Sequence, residues 1–220
     1  MHYWNNYNRD LEELAEEMLT HNSLNQFNFI ESSFYNHVHD ILALSLLHAS
    51  KGSRIKVLDY GSNILPWSNL INKINTKLVD IFIYDPFFDQ KDLSQYSKLN
   101  LRISNNINNF EVEDFDLVIY GSSSQYIKNF LEDILNKRIY SSKYVLFTHT
   151  PLSLKESFIS NQYTGFKGMQ YIRSFNKLRS KMEFDGYDLI FKSILPSEMA
   201  SVDKDKEMNT IYANLLFERN

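Results

Sequence analysis

The chain contains no cysteine, which removes disulfides, thiolate metal ligands and cysteine nucleophiles and leaves the redox compartment unread, although compatible with a cytoplasmic location. It also lacks a basic excess, since 23 Lys and Arg stand against 27 Asp and Glu for a net charge of −4. Proteins that grip a phosphate backbone usually carry the opposite balance, so nucleic acid is not expected as a partner. No apolar run approaches the roughly 20 residues that span a bilayer. The start, Met1-His2-Tyr3-Trp4-Asn5-Asn6, lacks the charged-then-apolar pattern of a signal peptide. The expectation is a soluble, unexported, cytoplasmic protein with no membrane span. Internal repeats, heptads and low-complexity linkers are missing too. The 220 residues, 43% hydrophobic and 15% aromatic, therefore read as one domain with a sizeable core.

What is present begins with two amphipathic patterns. Arg9 to Leu19 places Leu11, Leu14, Ala15 and Met18 on one face, and Glu31 to Ala49 does the same with Phe34, Val38, Ile41, Leu42, Leu46 and Ala49. Residues 1–50 thus form a helical extension ahead of an α/β core over 51–220. Lys51-Gly52-Ser53 ends the second helix, and a strand follows from Arg54 to Asp59. Pro66 opens a helix to about Asn75, because proline is tolerated in a first helical turn. Further strands are expected at Leu78–Tyr84, Leu99–Ser104, Phe115–Tyr120 and Lys143–Phe147, with a helix from Gln125 to Lys137. After a long segment, Tyr171 to Phe184 reads as helical and Asp185-Gly186 as its stop. Two last strands, Tyr187–Ser193 and Thr210–Phe217, flank a polar stretch too poor in apolar residues for a crossover helix, so they are expected to pair antiparallel. The total is seven strands.

Two strand ends carry the chemistry. Lys56-Val57-Leu58-Asp59-Tyr60-Gly61 is an apolar strand closing on Asp-x-Gly, where bare backbone lets a ligand approach. Ile81-Phe82-Ile83-Tyr84-Asp85 closes on a carboxylate, a bidentate acceptor for ribose hydroxyls. Together they predict an adenosine-containing cofactor. Asp85 also has the plain reading of a loop residue before Pro86-Phe87-Phe88, and Gly61 that of an ordinary strand-to-helix turn.

This element order, with Val57-Leu58-Asp59-Tyr60-Gly61, the acidic Asp85 and Phe115-Asp116-Leu117-Val118-Ile119, resembles the class I S-adenosylmethionine-dependent methyltransferases over residues 30–217. The resemblance implies a Rossmann-like sandwich: a mostly parallel seven-stranded sheet with one antiparallel strand, and helices on both faces. More narrowly, Gly121-Ser122-Ser123-Ser124-Gln125-Tyr126 and Thr148-His149-Thr150-Pro151-Leu152, with Gln162, Trp4 and Tyr7, look like a small methyltransferase group associated with surface-polysaccharide biosynthesis. Two positions depart from the pattern. Asn63 replaces the second glycine of Gly-x-Gly, and His149 stands where that group has arginine. Either the methionine portion of the cofactor sits further from the first loop, or Asn63 itself hydrogen-bonds it.

The resemblance implies S-adenosyl-L-methionine as cofactor, with Asp59, Gly61, Asn63, Asp85, Pro86, Asn105 and Ser122 as candidate contacts. Asn105 and Asn106 follow the third strand, where adenine is usually read, but an asparagine-rich loop explains them equally well. Ser122, Ser123 and Ser124 face the crevice at the end of the fourth strand, with Ser122 the better ligand candidate, while Ser124 has the alternative of capping a helix. Tyr126 packs under the cofactor or belongs to the core. His149, expected to end the fifth strand, is the candidate general base or acceptor-binding residue, since histidine accepts a proton near neutral pH. His37 and His39 do not share a helical face, so no metal is called for. The aromatic segment from Phe158 to Tyr171, with Gln162, Tyr163 and Tyr171, is the candidate acceptor lid, or else sheet cover.

Three functions remain open. The first is methyl transfer to a hydroxyl of a sugar or glycan-type small molecule. The second is a non-catalytic methyltransferase-like module partnering another enzyme. The third, a nicotinamide oxidoreductase, should carry the fuller Gly-x-Gly-x-x-Gly that this chain lacks. A homodimer is compatible with all three.

Overall fold

Short apolar runs bounded by polar residues become the strands of one central sheet. The computed structural model describes residues 33–51, 53–61, 67, 78–86, 100–110, 114–131, 142–162, 168–195 and 209–220. Helix α1 spans Ser33–Ser50. It is followed by β1 (Ile55–Tyr60), β2 (Val79–Tyr84), β3 (Asn100–Ser104), β4 (Leu117–Gly121), β5 (Tyr144–Ser153), β6 (Phe158–Gln162), β7 (Gly168–Ser174), α2 (Phe175–Phe184), β8 (Tyr187–Leu195) and β9 (Thr210–Arg219). Strands run in the order β3-β2-β1-β4-β5, parallel throughout, with β9 antiparallel between β5 and β8. The antiparallel pairing expected of the last two strands is observed. No helix among the described residues is long and apolar enough to cross a membrane.

Strands β1, β2 and β4 are buried along nearly their whole length, as parallel strands covered on both faces must be. Alternate residues divide between two cores. Val57, Ile81, Ile83, Leu117, Ile119 and Leu146 pack with Ile41, Leu42 and Leu46 of α1. Leu58, Phe82, Val118, Tyr120, Val145 and Phe147 pack with Leu178 and Met182 of α2. The first expected helix, with Trp4 and Tyr7, and all but Trp67 of the Pro66–Asn75 helix lie outside the described residues.

Four expectations are corrected. Among the described residues the sheet has nine strands rather than seven, because the segment expected as a lid loop forms an antiparallel pair, β6 with β7. Residues 171–174 are strand rather than helix; Ser174, extended at φ −61° and ψ 129°, is the boundary where α2 begins. The fifth strand runs on from Phe147 to Ser153, pairing with β4 over Tyr144–Thr148 and with β7 over Leu152–Ser153. Pro151 is accommodated between those two ladders, where its missing N–H leaves no bond unmade on that side. Finally, the helix expected from Gln125 begins only as a 3-10 turn, Ser124–Tyr126, after which Ile127 is extended at φ −99° and ψ 111°. Arg173 takes the carbonyls of Ser124, Ile127 and Lys128, which a continuing helix would have used for its own ladder.

Candidate active site

The carboxyl ends of β1 and β4 meet at the point where strand order reverses, the usual crevice of an open α/β sheet. Gly61 sits there at φ +70°, and its N–H donates to the Tyr84 carbonyl at 2.7 Å, tying the turn after β1 to the end of β2. A Cβ on Gly61 would lie 2.8 Å from that of Ser123, so both backbone conformation and space demand glycine. Ser123 donates its hydroxyl to the Tyr60 carbonyl at 2.6 Å, locking the loop after β4 against β1. The sequence placed Ser123 at the crevice with its neighbours but did not point to this bond. Its only signal was membership of the serine run at a strand end.

Asp59 is 2% exposed, and its Oδ2 accepts from the Trp67 indole at 2.8 Å. The carboxylate therefore holds Trp67, itself fully buried and a second residue the sequence did not single out. Asp85 differs. It is half-buried at the end of β2, its N–H donating to the Ser104 carbonyl at 3.1 Å, and its charge adds to burial in holding the Tyr84 phenol above its ordinary range. Pro86 follows in a turn. Asn105 is exposed beyond β3, whereas Asn106 is engaged locally: its Oδ1 accepts from the Asn108 N–H at 3.1 Å and its own N–H donates to the Ser104 hydroxyl. Asn63 lies outside the described residues.

Ser122 and His149 are brought together. The Ser122 hydroxyl lies 3.0 Å from His149 Nδ1 and 3.3 Å from the His149 carbonyl, arrangements that belong to the two imidazole tautomers. Both residues hold left-handed backbone, φ +54° and +47°, uncommon for side-chain-bearing residues and concentrated at functional sites. His149 does not end β5 as expected. Thr148 and His149 together oppose the single residue Asn214 of β9, so histidine occupies a bulge that aims it sideways. The Asn214 side chain accepts from the His149 N–H at 2.9 Å and donates to Ser193 at 3.1 Å, and the imidazole stacks on Tyr212 with ring centroids 4.6 Å apart. Burial pushes the imidazole down to about 4, so it is neutral at physiological pH. Tyr126 is half-buried at the end of the 3-10 turn.

Gly61, Asp85, Asn105, Ser122 and His149 thus share one edge of the sheet, while Asp59 lies beneath it. Gln162 ends β6 opposite Gly168, Tyr171 lies in β7, and Tyr163 falls outside the described residues.

No family model and no curated protein sequence matches the chain. Solved structures do. A 1,6-didemethyltoxoflavin-N1-methyltransferase of Burkholderia thailandensis, with 1,6-didemethyltoxoflavin and S-adenosylhomocysteine bound, is 11% identical at a TM-score of 0.55, covering 97% of this chain and 89% of that one. Magnesium protoporphyrin IX methyltransferase of Synechocystis PCC 6803, with S-adenosylhomocysteine bound, is 12% identical at a TM-score of 0.57, covering 86% and 84%. A (4+2)-cyclase is 12% identical at a TM-score of 0.55, covering 83% and 80%. At such identities likeness speaks for architecture, and architecture hosts more than one reaction. The chain has the class I S-adenosylmethionine-dependent methyltransferase fold.

Proposed function

We propose that this protein is a cytoplasmic S-adenosylmethionine-dependent methyltransferase acting on a hydroxyl of a sugar or glycan-type small molecule. The reading rests first on the convergence of Gly61, Ser122 and Asp85 at the switch point of a methyltransferase sheet. The donor set suits the cofactor. Asp85, half-buried at the end of β2, offers two acceptor oxygens to a ribose diol, and the glycine turn gives backbone access beside it. S-adenosylhomocysteine bound to neighbours of this fold supports the same ligand. The cofactor supplies an electrophilic methyl group on sulfonium. The residues of the chain hold that group in line with the acceptor, and such positioning supplies most of the acceleration.

A hydroxyl acceptor must shed its proton as the new O–CH3 bond forms and the S–CH3 bond breaks. Ser122 and His149 lie at the adjoining strand ends and can hydrogen-bond that hydroxyl. The neutral imidazole can also take up its proton, although a pKa pushed down to about 4 weakens it as a base at pH 7. The sugar-type acceptor rests on the Gln125-Tyr126 and Thr150-Pro151 resemblance.

Titration calorimetry with S-adenosylhomocysteine is the first test. Asp85→Ala is expected to weaken binding by about ten- to a hundredfold, equivalent to losing one charge-assisted hydrogen bond of about 1.5–3 kcal/mol, with the melting temperature nearly unchanged. An unaltered affinity rejects Asp85 as a ligand. His149→Ala should slow turnover on nucleotide-linked sugars or glycans while leaving cofactor affinity nearly intact, and equal loss of both rejects an acceptor-side role. One observation favours a second reading, a non-catalytic module of the same fold partnering another enzyme: the weakened basicity of His149. Wild-type protein that binds S-adenosylhomocysteine but methylates none of these acceptors would fit it.

A further inference from the structure

The guanidinium of Arg173, 9% exposed, reaches from β7 across to the loop after β4. Its Nη1 donates to the Ser124 carbonyl at 2.9 Å and to the Tyr171 carbonyl at 3.3 Å; its Nη2 donates to the carbonyls of Ile127 and, at 3.5 Å, Lys128. The guanidinium also lies 5.1 Å over the fully buried ring of Phe130. A buried cation is costly unless its donors are met, and here a planar fork meets backbone dipoles of one short loop. That loop holds features it would not keep unaided. Ser122 is in left-handed backbone, the expected helix is interrupted at Ile127, and Gln125, 4% exposed, has its amide oxygen without a hydrogen-bond partner among the described residues. Buried unmet acceptors and strained backbone persist only where surrounding structure over-determines them.

We propose that Arg173 is a positioning residue: through the carbonyls of Ser124, Ile127 and Lys128 it makes the β6–β7 hairpin set the shape of the loop that presents Ser122 and Tyr126 to the site. The hairpin thereby belongs to the catalytic frame. The importance of that loop to a cofactor rests on the methyltransferase reading, but the clamp itself does not.

Two measurements separate the two ideas. Hydrogen exchange without ligand, followed by mass spectrometry, compares wild type with Arg173→Lys, whose single ammonium cannot reproduce the fork. Amides of residues 122–128 should exchange at least tenfold faster, with β8 and β9 unchanged. Titration with S-adenosylhomocysteine should then show at least tenfold weaker binding, and methylguanidinium added to Arg173→Ala should restore part of it, which a merely structural loss would not allow. Phe130→Leu removes the ring beneath the guanidinium while keeping an apolar filler. It should raise exchange in the same segment about threefold, and it serves if the arginine variants fail to fold. Unchanged exchange at 122–128, or affinity within twofold of wild type in a variant whose loop has loosened, overturns the proposal. Wild-type protein that binds no S-adenosylhomocysteine sinks the cofactor reading instead, while exchange still decides the clamp.

Discussion

At the amino-terminal rim of the parallel strands, side chains settle their polarity with one another. Arg54 pairs with Asp80 at 2.8 Å, Asn100 donates to the same carboxylate, Asp116 accepts from the Lys56 N–H, and Tyr144 donates to Glu218 at 2.9 Å. At the carboxyl rim the chain does the reverse. Gly61, Ser122 and His149 all hold positive φ, and the half-buried His149 is held neutral by desolvation. The first rim consists of mostly exposed pairs, with positive φ at Lys51 and Gly186 in the turns that follow α1 and α2, and the other keeps strained backbone and desolvated groups in place by neighbours such as Ser123, Asn214 and Arg173. Strain carried at strand ends and in a bulge, rather than in the turns that close helices, is what a site built for a ligand requires and what a purely structural rim would shed.

The largest effect that can break this contrast is Gly61→Val. Left-handed backbone costs a side-chain-bearing residue about 1–2 kcal/mol, and overpacking against Ser123 adds about 1–3 kcal/mol. The variant is expected to lose detectable S-adenosylhomocysteine binding by calorimetry and to melt several degrees lower. A fully stable, fully binding variant would show that the glycine turn is ordinary.

Next in size is the response to acid. His149 titrates ordinarily near 6.5 but in the fold only near about 4. Below 6.5 the unfolded chain takes up a proton that the folded chain refuses, so stability present above pH 6.5 is lost as pH falls toward 4. The loss approaches about 3 kcal/mol. Denaturant titrations at pH 7 and pH 4.5 should show it for wild type, and His149→Gln should remove most of the difference. Smallest is Asp80→Asn, which removes the charge of an exposed pair. It should cost less than about 1 kcal/mol, shrinking further with salt, and leave ligand affinity untouched. Comparable losses of affinity from Asp80→Asn and Gly61→Val would erase the distinction between the rims.

Strands β1, β2 and β4 were legible within a residue or two because a parallel strand buried on both faces is a dense apolar run that local pattern cannot hide, whereas β3, Asn-Leu-Arg-Ile-Ser with alternate residues exposed, showed only as a weak alternation. Gly61 and Asp85 were legible as strand-end residues for the same reason. The β6–β7 hairpin was not: its residues are aromatic and polar in a pattern that fits loop or helix, and only pairing with the far end of β5 makes them strand. The extension of β5 through Thr148-His149-Thr150-Pro151 was hidden by a proline that reads as a stop. Asp59 was read as a candidate cofactor contact from its place two residues before Gly61, and its bond to the Trp67 indole is one that local pattern does not carry.

By itself the sequence determined the alternation of apolar strands with helical segments and a glycine turn after β1, because these follow from periodicity and local backbone sterics. Tertiary structure alone decided which of three consecutive serines touches His149, which locks Tyr60 and which gives its carbonyl to Arg173. Those roles depend on partners 27, 63 and 49 residues away along the chain, and no local pattern carries the geometry of contacts that distant.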